Sequence, residues 1–161
     1  MSGFTLRLKQ TPSLRVDMRG VLPSADLRTM KVGYGNALVP LAELFFVTRR
    51  DDGKLVLEGD CVRCDRIGWQ MDGGMLLVEG DAGDYVGAGM RGGEIVVRGH
   101  ARDLAACEMT GGSLIIEGNA GDFAASTLPG SMDGMRGGTL VIKGNVGERC
   151  ADRMRRGTVI V

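Results

Sequence analysis

The chain has 161 residues, 43% of them hydrophobic, with 20 basic and 20 acidic side chains, enough for one folded domain. Balanced charge argues against a nucleic-acid or anionic-membrane partner. No run is long enough to span a bilayer, and the opening "MSGFTLRLKQTPSLRVDMRG" lacks the apolar core of a signal peptide, so a cytoplasmic protein is expected.

Residues 1–53 have their own texture. "FTLRLK" alternates like a strand, "TPSLRVDMRGVLPSADL" is loop-rich, and "NALVPLAELFFVTRRDDG" reads as a strand running into a turn. This N-terminal segment is expected either to cap the rest of the chain or to lie along it as a cover.

From residue 54 to residue 161 the chain repeats. Aligned on the second glycine of each "GG", Gly74, Gly93, Gly112 and Gly138 are followed by Gly157, at spacings of 19, 19, 26 and 19. Each precedes a short apolar run, and three residues before each stands a methionine: Met71, Met90, Met109, Met135 and Met154. Gly87, Gly89 and Gly92 have the G-x-G-x-x-G spacing of a dinucleotide loop, but the next residues, "GEIVVRG", are too few and too β-branched to be the required helix. A unit this small cannot bury an apolar face alone and must stack on its copies. The predicted fold is all-β, a right-handed parallel β-helix of about 19-residue coils, with glycines at corners that need positive φ or close backbone approach.

Period-two alternation sorts each strand into rows. Leu76, Ile95, Leu114, Leu140 and Val159 share the inward face with Val78, Val97, Ile116, Ile142 and Val161. The intervening row, Leu77, Val96, Ile115, Val141 and Ile160, then faces outward and is also wholly apolar. A wet outer face would be polar, so this strip is expected to be covered, by the N-terminal segment or by another protein. The next row, Glu58, Glu79, Arg98, Glu117 and Lys143, reads as a solvated face whose last four members alternate in sign. Asp84, Asp103, Asp122 and Glu148 place one acid per coil at a corner, each expected to cap its own turn.

The remaining chemistry-bearing residues fall into the same register. "CVRC" has redox or zinc spacing, but a closed site would need Cys107, Cys150 or His100 from distant coils. Cys61 aligns with Ala82, Ala101, Ala120 and Val146, and Cys150 with Val86, Ala105 and Ala124, so buried reduced thiols are expected. His100 aligns with Asp60, Asp81, Asn119 and Asn145, a polar corner. No catalytic, cofactor-binding or metal-ligating set is read from this chain. One coil is seven residues longer than its neighbours, with "LPGSMDG" inserted. Insertions in stacked repeats map to loops that often bind, which makes Leu128, Pro129, Met132 and Asp133 candidate contact residues. Val161 ends the sequence within a strand, so a continuing chain or a partner is expected there.

The repeated "G-[DN]-A-G-D... M-R-G-G-x-[LI]-[VI]-[VI]-x-G" resembles the GXGXG β-solenoid family, which includes the C subunit of formylmethanofuran dehydrogenase and the C-terminal domain of the glutamate synthase large subunit. "LRVDMRG", "YGNALVPLAELFFV" and "LPGSMDGMRGG" resemble more specifically the C subunit of the bacterial formyltransferase/hydrolase complex. The resemblance implies a non-catalytic scaffold in a complex that moves a formyl group between tetrahydromethanopterin and methanofuran and hydrolyses formylmethanofuran to formate. It places catalysis in an amidohydrolase-like subunit and a formyltransferase subunit, with metal and methanofuran or pterin cofactors in those partners and none in this chain. The C subunit of the molybdenum or tungsten dehydrogenase and a detached glutamate-synthase-like domain are the alternatives it leaves open.

Overall fold

The computed structural model describes residues 2–161. Its strands are β1 (Gly3–Leu8), β2 (Val16–Asp17), β3 (Lys31–Tyr34), β4 (Ala37–Pro40), β5 (Phe45–Arg50), β6 (Leu55–Glu58), β7 (Cys64–Asp65), β8 (Asp72–Val78), β9 (Gly92–Val97), β10 (Ser113–Ile116), β11 (Arg136–Ile142) and β12 (Arg156–Ile160). A single helical turn, α1 (Leu41–Leu44), separates β4 from β5, where a continuous strand was expected. The turn begins after Pro40, at φ −58°, and buries Leu41. The protein is therefore all-β with almost no helix.

The larger sheet runs in the order β12-β11-β10-β9-β8-β6-β1-β5. It is mixed. β6 and β8 to β12 pair parallel in succession, β1 joins β6 in parallel, and β5 closes that end antiparallel to β1. A smaller sheet in the order β4-β3-β2-β7 ties the N-terminal hairpin to the first repeat through Val16 and Cys64. The N-terminal segment thus extends the large sheet edge-on.

The rows follow the alternation read from the sequence. Leu55, Leu76, Ile95, Leu114 and Leu140 pair in register, as do Leu57, Val78, Val97, Ile116 and Ile142, and all are buried. Val159 is half-buried and Val161 exposed, since β12 is an edge strand.

The methionine and glycine columns explain one another. Met71, Met90, Met109 and Met135 are fully buried. Each reaches beneath the positive-φ glycine of the next repeat: a Cβ on Gly93, Gly112, Gly138 or Gly157 would come within 2.8–2.9 Å of the respective methionine Cε. Such a Cβ would also come within 2.7–3.0 Å of a carbonyl oxygen of the repeat below. The pattern M-x-G-G is therefore the imprint of stacking.

The acidic corner differs from the expected self-capped turns. Asp65 Oδ1 accepts the N–H of Asp84 (2.9 Å), Asp84 Oδ1 that of Asp103 (3.1 Å), Asp103 Oδ1 that of Asp122 (2.8 Å) and Asp122 Oδ1 that of Glu148 (2.9 Å). Each carboxylate caps the next repeat instead of its own. One oxygen per residue is engaged in the ladder, and Arg15 pairs with Asp65 and lies 3.7 Å from Asp84, which Arg102 also approaches at 3.4 Å. Cation contacts and N–H donation offset the stacked like charges.

Candidate partner interface

The outward row is a continuous apolar strip. Val56, Leu77, Val96, Ile115, Val141 and Ile160 pair in sequence across six strands, about 4.8 Å apart at each step. Leu77, Val96, Ile115 and Val141 are half-buried, Val56 is buried, and Ile160 is 53% exposed. Beside the strip, Arg98 Nε lies 3.3 Å from Glu79, the one ion pair formed within the charged row among the described residues.

The insertion lies elsewhere. Leu128 is half-buried and its N–H donates to Glu108 Oε2 at 2.8 Å. Pro129 is exposed, Met132 is 78% exposed, and Asp133 Oδ1 accepts from Arg155 Nε at 2.8 Å. Leu128 lines a cleft with residues of the corner that precedes each strand, and no residue of the apolar strip lines it. The predicted contact residues therefore form two separate features.

A third feature escaped sequence reasoning. Arg66, Tyr85, Leu104, Phe123 and Arg149 occupy equivalent corners, all with φ between 55° and 65°. Leu104 N–H donates to Asp122 O, and Tyr85 and Phe123 make the same repeat-to-repeat bond, which stabilises a conformation costly for residues with a Cβ. At the first two of these corners Arg66 lies 4.8 Å from the Tyr85 ring centre and 5.6 Å from that of Trp69, and the two rings meet edge to face at 6.1 Å. The corner residues are 19 residues apart from Arg66 through Phe123, so the repeat alignment carried the signal, but non-glycine residues concealed the shared left-handed backbone.

The cysteines and His100 are engaged in the stack. Cys61 bridges to Ala82 as aligned, and Cys61, Cys64 and Cys107 are buried while Cys150 is partly exposed near the edge. Burial pushes the Cys107 thiol up to about 11, and the contact with Cys61, reinforced by burial, pushes Cys64 far above the ordinary thiol range. His100 N–H donates to Asp81 Oδ1 at 2.7 Å, and its Nδ1 accepts the Asn119 N–H at 2.8 Å. Asn119 Oδ1 in turn accepts from Asn145. Among the described residues no three His, Cys, Asp or Glu side chains gather as metal ligands would, and no helix is long and apolar enough to cross a membrane.

Parallel in-register strands, an unbroken outward apolar row and corner ladders define a repeat protein. No protein-family model matches the chain. It is similar to a chain of the crystal structure of the formyltransferase/hydrolase complex from Methylorubrum extorquens in complex with methylofuran, with a TM-score of 0.90 and 36% identity, over 96% of this chain and 61% of that one. Similar curated proteins include the C subunit of tungsten-containing formylmethanofuran dehydrogenase 2 from Methanothermobacter marburgensis, 34% identical over 55% of this chain and 37% of that protein. Another is the C subunit of the formyltransferase/hydrolase complex from Methylorubrum extorquens, 36% identical over 49% of this chain and 32% of that protein. The matched stretches thus span roughly a third of the length of these curated relatives.

Proposed function

We propose that the chain is a non-catalytic scaffold subunit of a one-carbon complex that transfers a formyl group between tetrahydromethanopterin and methanofuran and hydrolyses formylmethanofuran to formate. The observation that carries this reading is the TM-score of 0.90 over 96% of the chain, at 36% identity, with a chain of a formyltransferase/hydrolase complex. In this reading residues 54–161 form a right-handed parallel β-helix of the GXGXG kind, which residues 1–53 cap. The partners are an amidohydrolase-like subunit and a formyltransferase subunit, which hold the metal and the methanofuran or pterin cofactors, and the complex is cytoplasmic.

Two contact surfaces serve assembly. The strip of Leu77, Val96, Ile115, Val141 and Ile160 docks a partner, because a half-exposed apolar row gains stability when it is covered. The insertion, with Leu128, Pro129, Met132 and Asp133, supplies a second contact. The C subunit of a tungsten or molybdenum dehydrogenase is the second reading, favoured by the 34% identity to the Methanothermobacter protein.

Affinity purification of the full-length protein from its native host, with mass spectrometry of the co-purifying chains, tests both. Recovery of amidohydrolase-like and formyltransferase chains supports the first reading. An added molybdenum or tungsten iron-sulfur subunit selects the second. A glutamine amidotransferase, or a stable lone monomer, overturns them.

A further inference from the structure

A cleft of about 230 Å³ opens between the corner that precedes each strand and the insertion loop. Its charged wall is built by the repeat. Arg91, Thr110 and Arg136 each stand directly after a buried methionine, on three successive repeats, so the arginines stand two rungs apart, about 10 Å along the stack, with Thr110, whose hydroxyl donates a long bond (3.4 Å) to Met90 O, on the rung between them. Gly89 in the same cleft carries no side chain and leaves the approach open.

The cleft's charge is not balanced from within. Arg91 donates only a long hydrogen bond to Gln70 O (3.4 Å), and neither Arg91 nor Arg136 forms an ion pair among the described residues. Glu108, the one carboxylate lining the cleft, is held by the Leu128 N–H. Trp69 and Leu128 add apolar surface to the rim.

We infer that this cleft is a carboxylate seat, in which Arg91, Arg136 and Thr110 receive an acidic side chain of a partner polypeptide whose neighbouring chain packs on Trp69 and Leu128. Two guanidinium groups converging on one carboxylate form the strong, charge-assisted type of hydrogen bond. A polypeptide fits better than a small acid because Leu128 of the insertion and Trp69 line the cleft beside the arginines and give a neighbouring chain apolar surface to pack on. That the partner belongs to a formyl-transfer complex rests on the scaffold reading above. The seat itself does not, and it is tested on this chain alone.

Trp69 is the only tryptophan and lines the cleft, so its fluorescence reports occupancy. The full-length protein is titrated with the blocked tetrapeptide Gly-Glu-Glu-Gly, with its glutamine counterpart Gly-Gln-Gln-Gly, and with succinate. The expected result is a saturable, salt-weakened response to the glutamate peptide, at least tenfold weaker for the glutamine peptide and for the Arg91→Gln/Arg136→Gln protein. Arg98→Gln/Arg102→Gln removes the same two charges elsewhere and should leave the response intact. Both arginines are exposed, so the variants should fold, which circular dichroism checks. No response, equal binding of the glutamine peptide, or binding insensitive to the double substitution overturns the seat. Equal saturation by succinate overturns the polypeptide assignment.

Discussion

Replacing Gly112 by alanine tests the stacking logic at one atom. Gly112 has φ +78°, and a Cβ there would sit 2.8 Å from Gly93 O, 2.9 Å from the Gly92 carbonyl carbon and 2.9 Å from Met90 Cε. The left-handed backbone costs a residue with a Cβ roughly 1–2 kcal/mol. Overpacking against fixed neighbours adds roughly 1–3 kcal/mol, so Gly112→Ala should destabilise by about 2–5 kcal/mol. Gly130 separates the two effects, because it has φ +86° and nothing within 4 Å of the added Cβ. Gly130→Ala carries the backbone cost alone, partly offset by reduced freedom of the unfolded chain, and should lose about 1 kcal/mol. Urea unfolding followed by circular dichroism measures both. Adding Met90→Ala to Gly112→Ala should not rescue it, because two of the three close contacts are backbone. Equal destabilisation by the two alanines, or full rescue by Met90→Ala, would refute the claim that backbone contact between repeats fixes the glycine column.

Val96→Asp should leave the isolated chain folded within about 1 kcal/mol of the parent, as expected for a partly exposed strand position, but abolish assembly in gel filtration of the co-expressed complex. Unfolding of the isolated chain would instead show that the row faces inward. His100→Asn should retain stability, because the Asn119 position already carries an asparagine in the same ladder, whereas His100→Ala should lose roughly 1 kcal/mol with the bond to the Asn119 N–H; equal melting of the two variants would dismiss the ladder. Cys107 supplies a pH dependence. Its folded thiol is raised to about 11 while an unfolded one titrates near 8.5, so its contribution is complete below about pH 8.5. That contribution disappears as pH rises through the folded value, a loss of roughly 3 kcal/mol. Cys107→Ala, which copies Ala88 in the preceding repeat, should remove this slope from stability curves between pH 8 and 11, and an unchanged slope would refute it.

The strand rows were legible because a pleated strand allows only two facings, and "GGEIVV" and "GGTLVI" state the choice twice in one register. Burial of Cys61 followed from the same alignment, whereas Cys150, aligned with Val86, Ala105 and Ala124, is partly exposed near the edge. The target of each corner carboxylate was not legible. From sequence, Asp84 can reach the N–H groups of its own turn or those one rung away, since a rung of about 4.8 Å lies within the reach of a side chain. The structure selects the neighbour, Asp103. Nor was the cleft legible, since Trp69, Arg91, Thr110 and Arg136 come from four repeats and Leu128 reaches them only through the fold of the insertion. The left-handed corners were hidden for a different reason. Glycine marks that conformation when it is present, but at Leu104 and Phe123 the bonds between repeats hold the backbone there without it.

Those bonds bear on what such a chain can present to a partner. Each repeat is tied to the next at the strand, at the acidic corner and at the left-handed corner, as in Leu114 with Leu140, Asp103 with Asp122, and Leu104 with Asp122 O. Three lines of attachment leave little freedom for one repeat to rotate on another, so side chains in a row keep a spacing of about 4.8 Å. A partner docking on Leu77, Val96, Ile115 and Val141 meets a preordered surface and loses less entropy than it would on a flexible one. The insertion breaks the period without breaking the register: Leu114 still pairs with Leu140 across the 26-residue step. The extra residues leave the stack at a corner, where Leu128 lines the cleft together with Arg91 and Thr110. In the scaffold reading proposed above, a loop placed this way adds specificity at one corner while the apolar strip runs on uninterrupted, and the two surfaces serve different partners.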